Sequence, residues 1–427
     1  MERKKKLLAL SHTSDLTGGA ESVLLNIVKS TSDIYDWTVI VPVARGDFYK
    51  GLDSMKDVAV EVIFTPWWCS GSSYGQHISR KTHKKSISRI CKLVEGADVA
   101  ITNTIANPWL AYCCTIKRKP HIWYVHEFGD IDHGMDFSLG YRESLEFIDQ
   151  LSGLVITVSE SVKKHITKHA TKMKVNIIPQ SVDIDNLMVI ESSPGKGVKT
   201  HVLILGSIKP SKGQLVLLNA LAMLDVSDAK RIDCRVSGPV VDPSYFRALK
   251  EIEFSNGVSV VFKPEFVNPI VEYLWSDIVV VPSMNEALGR STIEGLAAGK
   301  VVVGADSGAT KDLLANGRGY VFEAGNAKSL AGAIHLFLSE NGEFLIGVGE
   351  RQRFVIDNYS KEIERDFFIK CIDDAMERYV SVTASANLLE SMGKSGMYED
   401  GVKYRLRRLY IRLRQIAGKL LRWLKLK

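Results

Sequence analysis

The sequence predicts an α/β protein built from two successive parallel-sheet domains, and three observations carry that prediction. At 427 residues the chain exceeds one ordinary core and fits two domains of about 150 to 200 residues each. Short apolar, β-branched runs alternate with longer segments of helical period, as βαβ units require, and this alternation occurs twice. Between the two runs lies Glu191-Ser192-Ser193-Pro194-Gly195-Lys196-Gly197, polar and rich in helix and strand breakers, which reads as a linker. Hydrophobic residues at 45% and charged residues at 24% exclude a collagen-like, low-complexity or wholly disordered chain.

In the first half the spacing predicts strands at Leu7–His12, Thr38–Val43, Val60–Thr65, Asp98–Asn103, Ile122–His126, Val155–Val158 and Val175–Ile178. Helices are predicted between them at Ala20–Lys29, within Ile78–Val94, and at Trp109–Ile116, Tyr141–Leu151 and Ser161–Lys168. The second half predicts strands at Val202–Leu205, Cys234–Ser237, Ser259–Phe262, Ile278–Val281, Val301–Val303 and Gly319–Phe322. Its helices are predicted at Gln214–Leu224, Ser244–Phe254, Pro269–Trp275, Thr292–Ala298, Thr310–Ala315 and Ser329–Leu338. The expected organisation is therefore one domain over residues 1–184, a linker over 185–200, a second domain over 201–358 and a helix over 359–382 that returns toward the first domain. A flexible linker follows over 383–401 and a final helix over 402–427.

That final segment is amphipathic and basic. At 100° per residue its apolar side chains, from Leu406 to Leu424, gather in an arc of about 160°. Its ten Lys and Arg residues meet no acid, and without them the chain holds 45 bases against 49 acids. The net charge of +6 is thus a property of the tail, and the basic character that would suggest nucleic acid is almost entirely confined to it. Anionic lipid headgroups would satisfy both faces of such a helix; packing on the body, an oligomer contact and an RNA-binding arm are the alternatives. A second acid-free basic stretch, Arg80, Lys81, Lys84, Lys85, Arg89 and Lys92, could face the same surface. Six scattered cysteines without a CxxC pair point to a reducing compartment. No signal-peptide core follows Arg3-Lys4-Lys5-Lys6, and no apolar run is long enough to span a bilayer, so the expectation is a cytoplasmic protein.

The segment Asn285-Glu286-Ala287-Leu288-Gly289-Arg290-Ser291-Thr292-Ile293-Glu294 follows the strand Ile278–Val281 directly. In open parallel sheets ligands bind at the carboxyl ends of strands, where a helix N-terminus offers unpaired N–H groups to an anion. Glu286 in the loop and Glu294 on the helix can face one crevice, although Ser291-Thr292-Ile293-Glu294 also reads as a capping box. Lys212, before Gly213, lies at the mouth of the same predicted sheet and could neutralise phosphate or simply be an exposed turn lysine. Gly18-Gly19-Ala20-Glu21 lets backbone approach a ligand closely, but it is not the G-x-G-x-x-G fingerprint, which disfavours a nicotinamide cofactor. His126 stands at the carboxyl edge of the first sheet, either as a site residue or as a hydrogen-bonded structural one. His165 and His169 lack the glutamate of H-E-x-x-H and are expected on an exposed helix, while Asp130 and His133 lack further ligands; no protein-bound metal is expected.

Together these segments resemble the retaining glycosyltransferases of family 4, whose GT-B fold pairs two Rossmann-like domains across a cleft. The resemblance runs from about residue 7 to residue 380. It rests on Gly18-Gly19-Ala20-Glu21, Val125-His126-Glu127, Val158-Ser159-Glu160-Ser161-Val162, Ile178-Pro179-Gln180-Ser181-Val182-Asp183, Lys212-Gly213 and the E-x7-E pair Glu286 and Glu294. It implies an acceptor-side first domain and a nucleotide-sugar-binding second domain. Glu286 would contact the donor sugar, Glu294 the ribose and Lys212 the diphosphate. The backbone of Ala287, Leu288 and Gly289 would help hold sugar and phosphate, His126 would reach the sugar, and Gly18 and Gly19 would line the cleft. Two departures stand out. Ser207 occupies a position where the family often has arginine, for which Arg290 would substitute, and Gln180-Ser181 replaces asparagine and glycine.

The implied reaction moves a sugar, with retention, from a nucleotide-diphosphate sugar to a saccharide acceptor. The nucleotide sugar is a substrate, and neither cofactor nor metal is needed. Glu286 is not expected to act as a covalent nucleophile. A lipid-linked acceptor at the inner face of the cytoplasmic membrane would suit the basic tail. An epimerase or phosphorylase on the same frame, or a non-catalytic membrane adaptor, are the competing readings.

Overall fold

A computed structural model describes residues 3–16, 19–69, 80–171, 173–188, 199–340 and 345–377. The linker 191–197, Gly18 and everything from 378 onward, including the basic segment 402–427, lie outside the described residues. The chain divides into two compact units: Met1–Thr157 with His165–Asn176 and the segment from Phe368, and Val158–Lys164 with Ile177–Phe367.

The first unit carries a seven-stranded sheet, with β1 at Lys5–Ser11, β2 at Tyr35–Val41, β3 at Val58–Val62, β4 at Val99–Asn103, β5 at His121–Val125, β6 at Leu154–Thr157 and β7 at Val175–Ile177. The strand order is β3-β2-β1-β4-β5-β6-β7, and β1 pairs in parallel with both β2 and β4. Every residue of β4 and β5 is buried, the signature of strands covered on both faces, and their runs are accordingly rich in Val, Ile and aromatics.

The second unit repeats the plan with six strands: β8 at Thr200–Leu205, β9 at Ile232–Ser237, β10 at Ser259–Lys263, β11 at Ile278–Val281, β12 at Val301–Ala305 and β13 at Tyr320–Phe322. Their order is β10-β9-β8-β11-β12-β13, again parallel. Its core joins Val202, Ile204, Ile278, Val280 and Val303 of the sheet to Leu217 and Leu221 of the helix Gln214–Met223 and Ile334 of the helix Ala327–Glu340. In both units the strand order reverses beside the first strand, between β1 and β4 and between β8 and β11. That topological switch point opens a crevice at the carboxyl ends.

Turn and cap chemistry sets the boundaries. Asp242 accepts hydrogen bonds from the N–H groups of Ser244 and Tyr245 and starts the next helix at Pro243, one residue earlier than the spacing predicts. Asn268 caps Ile270 in the same way, and the helix Pro269–Trp275 has its predicted limits. Among the described residues four helices escaped prediction: Asp47–Asp53, Ile184–Met188, Val226–Ala229 and Val348–Tyr359. Among the described residues no helix is long and apolar enough to cross a membrane.

Candidate active site

In the second unit the loops after β8 and β11 are locked together where the strand order reverses. Past β8 the chain turns through a 3-10 segment, Pro210–Lys212, and then Gly213 with φ 72°. A Cβ at Gly213 would stand 2.3 Å from the carbonyl oxygen of Pro282, just beyond β11, so only glycine permits this approach. Met284 N–H donates to Ser211 O at 3.2 Å and ties the two loops further. On the other side Gly308 packs against the Glu286 backbone, and Ala309 N–H donates to Glu286 O at 2.8 Å.

This construction brings Lys212 and Glu286 together, with Nζ 2.5 Å from Oε1. Burial alone would raise the Glu286 carboxyl. The charge and hydrogen bond of Lys212, helped by the Ser283 hydroxyl and the Lys209 charge, hold it below the usual carboxylate range. Lys209, on the same loop, is a cation that the sequence reading passed over. An ammonium has three donors, so Lys212 can keep Glu286 and still take a phosphate oxygen.

Gly289, at φ 78°, is the N-cap of the helix Arg290–Ala297, which has no side-chain cap. The capping-box alternative for Glu294 is not formed, because Ser291 Oγ donates to Leu205 O at 3.3 Å. Glu294 instead accepts from Tyr273 Oη at 2.9 Å and from Arg290 Nη2 at 3.1 Å. The Arg290 guanidinium, expected to face phosphate, here pairs with the carboxylate expected to hold the ribose. Leu288 is buried, and the Ala287 carbonyl accepts from Ser159 Oγ at 2.5 Å. Ser159 belongs to the short segment Val158–Lys164 that is counted with this unit.

The first unit builds a polar cluster at its own switch point. His126 Nε2 lies 2.7 Å from Asn103 Oδ1, which can only accept, so Nε2 carries the proton. Burial, with His12 nearby, lowers the His126 pKa to about 3, so the ring stays neutral. Asn103 Nδ2 donates to Ala20 O, linking this edge to the first turn of the helix Gly19–Thr31. Gly19 is exposed there, with open space where a Cβ would stand. Glu127 accepts the N–H groups of Ile105 at 2.8 Å and His126 at 3.0 Å. Thr104, between Asn103 and Ile105, has φ 86°, a costly conformation for a β-branched residue and one that clusters at functional sites.

Sequence reasoning missed His12 and Glu21. His12 Nδ1 lies 2.9 Å from Oε1 of the buried Glu21, and the His12 ring packs against Trp67 at 4.8 Å. The available signal was Glu21 in Gly-Gly-Ala-Glu, read only for its glycines. His165 and His169 are not on a fully exposed surface as expected. His165 Nε2 lies 2.8 Å from Asp130 Oδ1, and both rings pack against Tyr141. Among the described residues Asp225, Asp228 and His335 also come together. There Asp225 caps the helix Val226–Ala229, and Asp228 is engaged by His335 Nδ1 at 2.5 Å.

Residues 189–359 match the family described as glycosyl transferases group 1, and residues 17–186 match glycosyltransferase family 4. A D-inositol 3-phosphate glycosyltransferase from Rhodococcus jostii is 27% identical over 218 residues, 49% of this chain and 46% of that one. The chain thus spans about half the length of the curated relatives it matches. Among solved structures, Anabaena Alr3699/HepE in complex with UDP and glucose has a TM-score of 0.66 at 20% identity, covering 86% of this chain and 99% of its own. A glycosyltransferase from Rickettsia africae gives a TM-score of 0.67 at 20% identity, covering 88% and 99%. These likenesses show the fold, GT-B.

Proposed function

The chain belongs to the family 4 glycosyltransferases with the GT-B fold, and from that premise we propose that it moves a sugar from a nucleotide-diphosphate sugar to a saccharide acceptor with retention of anomeric configuration. The observation that carries this reading is the Lys212–Glu286 pair at the β8/β11 switch point, with Glu294 just over one turn along the following helix. Cleavage of the anomeric bond leaves negative charge on a diphosphate, and stabilising that charge is the main electrostatic task. Lys212, Lys209 and the uncapped N-terminus of Arg290–Ala297 supply positive potential for it, which supports a reaction that needs no divalent ion. Glu286, ionised beside Lys212, suits hydrogen bonding to sugar hydroxyls, and Glu294 suits the ribose. The leaving phosphate assists removal of the acceptor proton on the same face, and Glu286 forms no covalent intermediate.

We place the acceptor, a lipid-linked saccharide, at the inner face of the cytoplasmic membrane, in cell-surface polysaccharide or glycolipid assembly. Support comes from the basic composition of 402–427 and from the helix Arg80–Gly96, which buries His83, Ser86, Ile90 and Val94 and exposes Lys81, Lys84, Lys85, Arg89 and Lys92. Calorimetric titration of the full chain with UDP-, GDP- and ADP-sugars tests the reading. Saturable binding of one donor, followed by its acceptor-dependent consumption, is expected; no binding of any nucleotide sugar refutes it.

A further inference from the structure

At the amino-terminal edge of the first sheet, the end away from the polar cluster, lies an open cavity of about 670 Å³, a size that accommodates a small ligand. It is walled by the starts of β1, β2 and β3 and by the last turns of the helix Arg80–Gly96. Four ammonium groups, from Lys4, Lys6, Lys56 and Lys92, and two carboxylates, from Asp36 and Asp57, line it. Lys4 Nζ donates to Ser32 O at 3.0 Å. Among the described residues the side chains of Lys6, Lys56, Lys92, Asp36 and Asp57 enter no ion pair or hydrogen bond, with each other or with anything else.

The immediate surroundings behave differently. Arg3 and Lys5, which alternate with Lys4 and Lys6 along the chain, pair with Asp98 at 2.8 Å and with Asp373 at 2.7 Å. Arg89, one turn before Lys92, pairs with Glu61 at 2.9 Å. Arg3, Lys5 and Arg89 are thus neutralised within the fold, while among the described residues Lys6, Lys56, Lys92, Asp36 and Asp57 form no ion pair. Its floor, formed by Leu7, Leu8 and Trp37, is buried and apolar.

We propose that this cavity is a second binding site, distinct from the one at the carboxyl edges, for a phosphate-bearing polyhydroxy ligand. Lysine ammoniums are compact point charges suited to phosphate oxygens, and the two carboxylates suit hydroxyl groups on the same molecule. The surplus of two positive charges matches a phosphate. The group can be a soluble phosphate ester or the headgroup of an anionic phospholipid. Lys92 belongs both to the cavity and to the exposed basic face of its helix, which gives a headgroup a direct approach.

The test uses the full chain with Lys6→Gln, Lys56→Gln and Lys92→Gln combined, against a control combining Lys29→Gln, Lys328→Gln and Lys370→Gln. The control lysines are exposed and outside the cavity. Calorimetry with inorganic pyrophosphate measures the soluble source, and flotation on phosphatidylcholine vesicles containing phosphatidylglycerol measures the lipid source. A tenfold or greater loss of pyrophosphate affinity in the cavity variant, at a site that Lys212→Gln leaves intact, supports a soluble ligand. Unchanged pyrophosphate binding with a tenfold greater loss of vesicle binding than in the control supports a headgroup. If cavity variant and control match in both measurements, the proposal is overturned. Because both arms use pyrophosphate or lipid rather than a nucleotide sugar, the result stands apart from the assignment of the donor site.

Discussion

Lys212 and Glu286 are 74 residues apart in sequence and meet where the close approach of Gly213 to Pro282 and the Met284–Ser211 hydrogen bond join their loops. Lys212→Gln keeps the length of the side chain to within an atom or so and removes the charge. A charge-assisted hydrogen bond to phosphate contributes about 1.5–3 kcal/mol, so the affinity for a nucleoside diphosphate should fall roughly ten- to a hundredfold, measured by calorimetry. Unchanged affinity would mean that the diphosphate lies elsewhere. In the first unit Glu127 offers a pH-dependent counterpart. Burial raises its carboxyl to about 7, against the opposing pull of the Ile105 N–H and His12, with Asp132 and Glu21 adding to the rise. Its folded value lies above its unfolded one, so the folded state holds a proton that the unfolded chain has released. Stability is therefore fully present below about pH 4.5 and is lost as pH rises toward 7. Glu127→Gln cannot ionise. Its Tm relative to the native protein should climb by a few degrees between pH 5 and pH 8; a flat or falling difference contradicts the raised value.

Elements were legible where their period was long and their caps were strong. The strand Ile278–Val281 and the helices Tyr141–Leu151 and Pro269–Trp275 have their predicted limits because an apolar run or an unmistakable stripe ends at breakers. Val226–Ala229 and Ile184–Met188 are too short to show any period. Val348–Tyr359 buries only Arg351 and Val355, so it presents no apolar stripe to read. At the candidate site, the order strand, loop, helix was readable, and Lys212 and Glu286, which the fold brings together, were both singled out. The partners of Glu294 were not, since Tyr273 lies on a different helix and the cap at Gly289 depends on a positive φ. Two glycines distinguish a required bend from a tolerated one. Gly213→Ala must place a methyl against backbone that cannot swing aside, and it should destabilise the second unit by about 2 kcal/mol or more by denaturant melting. Gly332, inside the helix Ala327–Glu340 with open space around it, should instead gain about 0.5–1 kcal/mol on replacement by Ala. Equal effects at the two positions would contradict the close approach at Pro282.

At the scale of the whole molecule, the chain leaves the first unit, builds the second and contributes again to the first through the later part of the helix Lys361–Met376. Phe368 stacks on Trp37 with ring centroids 5.9 Å apart, and both side chains are almost fully buried. Further along, Asp373 pairs with Lys5 of β1, and Asn176 of β7 donates to Cys371 Sγ and Asp374. Segments nearly two hundred residues or more apart thus close the first unit, which a truncation before Lys361 would leave without its Phe368 cover over Trp37. Phe368→Ala isolates that contribution and should cost about 3–5 kcal/mol through lost burial and the cavity left beside Trp37. Because Trp37 sits in β2, hydrogen exchange should quicken in β1–β3 while β8–β13 keep their native protection. Were the β8–β13 strands to loosen to the same extent, the two units would open as one cooperative body, and the division of the chain at Phe368 would have no thermodynamic meaning.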